Sequence, residues 1–299
     1  MLGIVNLDKP SGLTSHDCVA KVRRLAHCRR VGHGGTLDPA ATGVLPIALG
    51  KATRLLPYLP TVKAYRAIVR FGLRTATDDL EGEILTQQAC PELTLAAVKA
   101  CLPQFIGAID QIPPAYSALH QDGKRLYELA RAGEPIDIEP RPVEVHQLEV
   151  VDWRGDPTNP ELMLDVTCGP GTYIRAIARD LGEKVETGAT LSKLRRTLSC
   201  GLSAESAISL EQLAEDGVEG HVRKPLDLLA HLPQVELDAE LTTRWFHGQR
   251  LSLEPTMTLA PAVSVINNGC FCGVGEIKAG FETPILQPRV VMDEPSSLV

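Results

Sequence analysis

The 299 residues carry 30 Lys and Arg against 37 Asp and Glu, a net charge of −7, with 44% hydrophobic and 22% charged residues. That is the composition of a folded protein of one large and one small domain, and no apolar run reaches the ~18 residues of a membrane span, so no membrane partner is expected. The N-terminus lacks a basic stretch followed by an apolar one, and the eight cysteines form no C-x-x-C pair, so a cytoplasmic protein with reduced thiols is expected.

Lys9-Pro10-Ser11-Gly12 reads as a turn, and Thr14 with Asp17 three residues on reads as a capping box. Val19, Val22, Leu25 and Ala26 follow at helical spacing, with Lys21, Arg23 and Arg24 off the apolar face. Gly32-His33-Gly34-Gly35 is expected to break regular structure. Tyr65 to Phe71 alternates as a half-buried strand, placing Arg66 and Arg70 on one face. Residues 93–106 have helical spacing, Pro113-Pro114 enforces an extended segment, and a short helix is expected from Lys124 to Ala132, closed by Gly133.

Leu162, Leu164, Val166 and Cys168 alternate as a strand that runs through Gly169-Pro170-Gly171 into a helix with Ile174, Ile177, Ala178 and Leu181 on one face. Arg175 and Arg179 lie one turn apart on that helix, and Leu191 to Leu198 reads as a strand. After Pro233 the pattern changes to short strand-like pieces divided by Gly248, Pro255, Pro261 and Asn267-Asn268-Gly269, which predicts a small all-β module. The expected division is 1–233, 234–292 and a frayed tail at 293–299.

Net charge does not decide against a nucleic-acid partner, because binding depends on local distribution. Between Lys9 and Arg74 lie Lys21, Arg23, Arg24, Arg29, Arg30, Lys51, Arg54, Lys63, Arg66 and Arg70, opposed within that stretch only by Asp17 and Asp38. Lys193, Arg195 and Arg196 form a second cluster. Solvated helix faces would explain either cluster taken alone.

The chemistry-bearing candidate is Val31-Gly-His-Gly-Gly-Thr-Leu-Asp38-Pro39, a glycine-rich loop that delivers an aspartate just before a proline. Asp-Pro is also how many helices begin, with Asp as N-cap. A loop that approaches a ligand while presenting His33 and Asp38 is compatible with that reading. Gly50-Lys51-Ala52-Thr53 is not a phosphate-binding P-loop, since Leu45 stands where glycine is required and Ala52 follows the lysine. Neither G-x-S-x-G nor H-E-x-x-H occurs, and Cys270-Phe271-Cys272 has the wrong spacing for a zinc knuckle.

Gly32 to Leu45 resembles the catalytic-aspartate motif of the TruB family of tRNA pseudouridine-55 synthases. Further segments are similar in the same order: Gly3-Ile-Val-Asn-Leu-Asp-Lys-Pro-Ser-Gly-Leu-Thr-Ser15, Lys63-Ala-Tyr65, Pro113-Pro-Ala-Tyr-Ser-Ala-Leu-His, Gly123 to Arg131, Gly171 to Gly182, and Leu194-Arg195-Arg196. Several long motifs in order are far more specific than one short pattern. The resemblance implies an α+β catalytic domain, a mixed and largely antiparallel sheet flanked by helices, followed by a small β-rich PUA-like module. The stretch from about residue 234 is the more divergent part.

The implied reaction breaks the N1–C1′ bond of a uridine in the tRNA T stem-loop, turns the base and joins C5 to C1′, with no cofactor and no metal. A carboxylate suits it, because it can stabilise oxocarbenium-like charge, attack as a nucleophile or take a proton. By resemblance Asp38 is the catalytic carboxylate, Arg175 its partner, and Tyr65 faces the base, by stacking or by helping remove the C5 proton. Tyr173 packs beside the pocket, Leu194 lines it, and His33 helps hold the loop RNA with the uridine turned out. Arg54, where the family often shows lysine, is carried over as an RNA contact. A monomer without an obligate protein partner is expected. Two alternatives stay open: the guide-RNA-dependent relative, disfavoured by the two residues that precede Gly3, and a tRNA-folding protein without chemistry.

Overall fold

The computed structural model describes residues 1–117, 120–121, 124–125 and 138–292. The chain runs through β1 (Gly3–Lys9), α1 (Ser15–Leu25), β2 (Val31–His33), β3 (Thr42–Leu49), β4 (Lys63–Phe71), β5 (Leu73–Thr75), β6 (Ile84–Gln87) and α2 (Leu95–Cys101). Then come β7 (Gly107–Gln111), β8 (His120–Gln121), β9 (Lys124–Arg125), β10 (Arg141–Arg154), β11 (Glu161–Cys168), α3 (Ile174–Lys184) and β12 (Ala189–Ser199). β13 (Leu202–Ser203), α4 (Leu210–Asp216), β14 (Val222–Arg223) and α5 (Pro225–Leu228) lead into a second, smaller unit.

Local chemistry accounts for several of these elements. Asp17 N–H donates to Thr14 Oγ1 at 3.0 Å and Thr14 N–H donates to Asp17 Oδ2 at 2.9 Å, which closes the capping box of α1. Such a cap is worth about 1 kcal/mol. β4 buries Tyr65, Ala67, Val69 and Phe71 and turns Arg66 and Arg70 outward, as alternation requires. Both arginines are paired across to β11, Arg66 with Asp165 at 2.7 Å and Arg70 with Glu161 at 2.7 Å. The basic stretch is therefore less open than its sequence suggests, because its counter-charges come from a strand almost a hundred residues away.

The large sheet has the order β14-β1-β3-β12-β4-β11-β10-β7, with β2 added to β3 and β13 to β12. Its pairings among the described residues are antiparallel except that of β12 with β3. This is the mixed, largely antiparallel sheet that the resemblance implied. α2 and α3 pack on β4, β10, β11 and β12 through Val98, Ile177, Leu181 and their neighbours. On β1 and β3, Val5, Leu7, Leu45, Ile47 and Leu49 face α1 and α4, while Ile4, Val44 and Ala48 face the second unit.

That unit comprises β15 (Gln234–Glu236), α6 (Ala239–Phe246), β16 (Leu251–Ser252), β17 (Ala260–Asn267), β18 (Cys270–Lys278) and β19 (Ile285–Val291) in the order β15-β17-β18-β19-β16. The all-β expectation is corrected here by α6. Asp238 caps it by accepting from Leu241 N–H at 2.8 Å, and fully buried Trp245 fills the core, its Nε1 donating to Cys272 O at 3.0 Å. Val274, Val290 and Met292 join the core around Ile4, Ala48 and Leu55, so the unit sits directly on the large sheet.

Two further expectations are corrected. Residues 31–33 pair with β3 rather than breaking at Gly32. Lys124 and Arg125 pair as a strand with Gln121 and His120 instead of opening a helix. The remainder of the helix expected to Ala132 lies outside the described residues, as does the tail at 293–299.

Candidate active site

Residues 34–41 cross from β2 to β3 without regular structure, and Asp38-Pro39 does not open a helix there. A turn closes instead, Ala41 N–H donating to Asp38 O at 3.1 Å. Each backbone carbonyl from Gly34 to Ala41 has a donor. Two buried cations supply much of this. Lys9 Nζ donates to Pro39 O at 3.0 Å and Ala41 O at 2.7 Å, and Arg196 donates to Gly35 O at 3.1 Å and Thr36 O at 3.2 Å. Ser15 Oγ donates to Leu37 O at 3.1 Å and accepts from Leu37 N–H at 2.9 Å. A loop so tied presents its one acidic side chain in a fixed direction.

The Asp38 side chain is 38% exposed on one side and backed by Arg175 on the other, Nε to Oδ2 3.0 Å. Arg175, 5% exposed, also donates to Thr77 O and Tyr116 O at 3.0 Å each, so its fork is aimed by the protein before any ligand arrives. Asp79 lies 3.8 Å from the same Nε and is itself held by Thr77 Oγ1 at 2.5 Å and Glu81 N–H at 3.0 Å. Burial pushes the Asp38 carboxyl above its ordinary value, and Asp79 adds to that; Arg175 and Lys9 oppose it. The exposed part of the side chain remains in reach of solvent, which limits the rise. Two surface clefts, one against Cys90 and Cys101 and one against Asn6 and His221, do not include Asp38.

Tyr65 is 7% exposed on β4, in the cluster that holds Leu37, Ala41 and Ile174, and Leu194 packs against this cluster from β12. Burial pushes the Tyr65 phenol up, and Arg196 opposes. Tyr173 precedes α3, its N–H donating to Gln111 Oε1 at 2.8 Å and its carbonyl accepting from Gln111 Nε2 at 3.1 Å. His33 Nδ1 accepts from Gly35 N–H at 3.2 Å, and its ring meets His16 edge-on at 5.9 Å. Burial, then His16, pushes its pKa down, so the ring is neutral near pH 7 with its proton on Nε2, a donor not used by the loop. Arg54 stands apart, donating to Arg289 O of β19 at 3.2 Å and joining the two units.

Sequence reasoning missed Asp79, Gln111 and the tethering work of Lys9 and Arg196. Lys9 heads the basic stretch in the sequence, yet it is fully buried. Its position between a strand and a Pro-Ser-Gly turn was the available signal. Lys9→Met would strip the side-chain donor from Ala41 O and Pro10 O and is expected to cost roughly 2–4 kcal/mol, read as a lower urea midpoint at unchanged slope. An unchanged midpoint would show the tether to be dispensable.

A solved Cbf5-Nop10-Gar1 complex contains a chain similar to this one at 26% identity, TM-score 0.72, over 97% of this chain and 84% of that one. A structure described as an H/ACA RNP bound to a substrate RNA containing 2′-deoxyuridine shares the fold at TM-score 0.72 and 24% identity, over 98% and 86%. The large sheet with a small second unit packed on it is thus a fold shared with protein chains of these two complexes. The family model "TruB family pseudouridylate synthase (N terminal domain)" matches residues 23–174, and "Pseudouridine synthase II TruB, C-terminal" matches 233–292. Proteins described as tRNA pseudouridine synthase B are similar over most of their length: 51% identity in Synechocystis sp., over 98% of this chain and 100% of that protein, and 49% in Microcystis aeruginosa, over 98% and 100%. The chain belongs to the TruB family of pseudouridylate synthases.

Proposed function

We propose that this protein isomerises uridine 55 in the T loop of tRNA to pseudouridine, with Asp38 as its catalytic carboxylate. The observation that carries the reading is the Asp38 side chain, open to solvent on one side and held at 3.0 Å from a buried arginine on the other. The isomerisation is balanced within the substrate. The N1–C1′ bond breaks, the base turns, C5 joins C1′, the C5 proton leaves and N1 takes one up. An ionised Asp38 supplies negative charge where C1′ becomes electron-poor.

Around it, Tyr65 offers a flat apolar wall, and its phenol, pushed up by burial, stays protonated and able to relay a proton rather than act as a phenolate. Leu194 and Tyr173 complete the wall. His33 donates from Nε2 to the RNA that keeps the uridine turned out, an extrusion that costs on the order of a few kcal/mol. Exposed Lys21, Arg23 and Arg24 on α1, with Arg29 and Arg30 beyond it, supply phosphate contacts. Residues 1–233 carry the chemistry, and 234–292 form the PUA-like module that extends the RNA surface, with Arg54 at the junction. The reaction belongs to the cytoplasm.

The test is conversion of an unmodified tRNA transcript, mapped by nucleotide. Pseudouridine at position 55 alone is the expected result. Bound tRNA with no product would replace this reading with that of an RNA-folding protein.

A further inference from the structure

We propose that Arg196 is a positioning residue for the isomerisation: its buried guanidinium clamps the two arms of the Asp38 loop together and so fixes where the Asp38 carboxylate stands. The proposal rests on the isomerase reading above. Arg196 is fully buried on β12, in register with Gly43 of β3 on one side and Tyr65 of β4 on the other. Its Nη2 and Nη1 donate to Gly35 O and Thr36 O on the incoming arm, at 3.1 and 3.2 Å, and its Nε donates to Val44 O on the outgoing arm at 2.7 Å. Asp38 lies between those arms. The two arms can close on β12 because residue 43 has no side chain: a Cβ there would meet the Arg196 carbonyl at 2.2 Å, and Gly43 has φ +101°.

The charge itself needs explaining. Among the described residues Arg196 has no carboxylate in ion-pair reach, and its hydrogen-bond acceptors are neutral carbonyls. Burying a cation without a counter-ion is costly, and three neutral donors could tie the same carbonyls at lower cost. A guanidinium is nevertheless the one side chain whose rigid fork reaches carbonyls on both arms at once, which is the use the geometry shows for it. Arg195, the preceding residue, points the other way and pairs with Asp8 at 2.7 Å, so the two adjacent arginines have separate work.

The experiment compares wild type with Arg196→Lys and Arg196→Ala in single-turnover conversion of tRNA at saturating enzyme, with tRNA affinity and folded fraction measured in parallel. Arg196→Lys keeps the charge but has one nitrogen for carbonyls on both arms. Its rate is expected to fall about 100-fold, the scale of a catalytic group displaced by an ångström, while affinity and folding stay as in wild type. Arg196→Ala is expected to fall further and to be partly restored by millimolar guanidinium, which can occupy the vacated space. Rates within twofold of wild type in folded variants would overturn the proposal, as would a loss matched by weaker tRNA binding, rescue-insensitive loss in Arg196→Ala, or failure of both variants to fold. Absence of product from the wild type would instead overturn the isomerase reading itself.

Discussion

Asp38→Asn is expected to lower conversion of uridine by about 10,000-fold or more, the scale seen when an enzyme loses its nucleophile, while tRNA binding is retained. The amide can still face the Arg175 Nε, now 3.0 Å from Asp38 Oδ2, so the loop and its carbonyl tethers have no reason to move. What disappears is the negative charge. The same substitution is expected to leave the protein as stable as wild type or more so at neutral pH. Burial pushes the Asp38 pKa up in the folded state, so the folded protein holds that proton more tightly than the unfolded chain does. Ionising Asp38 therefore costs stability, a cost that sets in above the ordinary carboxylate value and is complete above the raised one. A permanently neutral side chain removes it. Single-turnover product mapping and a urea titration of both proteins check the two halves; turnover within tenfold of wild type would remove Asp38 from the chemistry.

The sequence carried the regular elements wherever periodicity and local caps agreed. Thr14 and Asp17 lie three residues apart and interact within one turn, and the alternation from Tyr65 to Phe71 reports a single face of a sheet. The site was legible in another way. Asp38, Tyr65, Arg175, Leu194 and Tyr173 were read through family motifs, and the structure places Arg175 on Asp38 and Leu194 against the cluster of Tyr65. Asp79 and the tethering by Arg196 escaped because their partners lie far along the chain: Arg196 reaches Gly35 across 161 residues, and no local pattern marks such a contact. The missed α6 has a plainer cause. Thr242, Thr243 and Phe246 favour strands, and the packing of Trp245 against Cys272 that favours the helix is a contact across 27 residues.

Arg175→Gln is expected to slow conversion by about 100- to 1,000-fold near pH 7 with little change in tRNA affinity, because a side chain only 5% exposed offers RNA almost no surface. The pH dependence separates its electrostatic role from a structural one. In wild type the rate should rise with pH as Asp38 ionises, through a pKa lifted by burial and by Asp79 and restrained chiefly by Arg175. Without the guanidinium that restraint is lost, the carboxyl rises further, and the acid limb of the profile must move to higher pH. Part of the lost activity should then return as the pH is raised. Arg175→Lys keeps a cation but offers one nitrogen to Asp38, Thr77 O and Tyr116 O, so its acid limb should lie between those of wild type and Arg175→Gln. An acid limb that stays in place in the glutamine variant, whatever the size of the rate loss, would mean that Arg175 merely braces α3 against the 77–79 turn and does not govern the charge of Asp38.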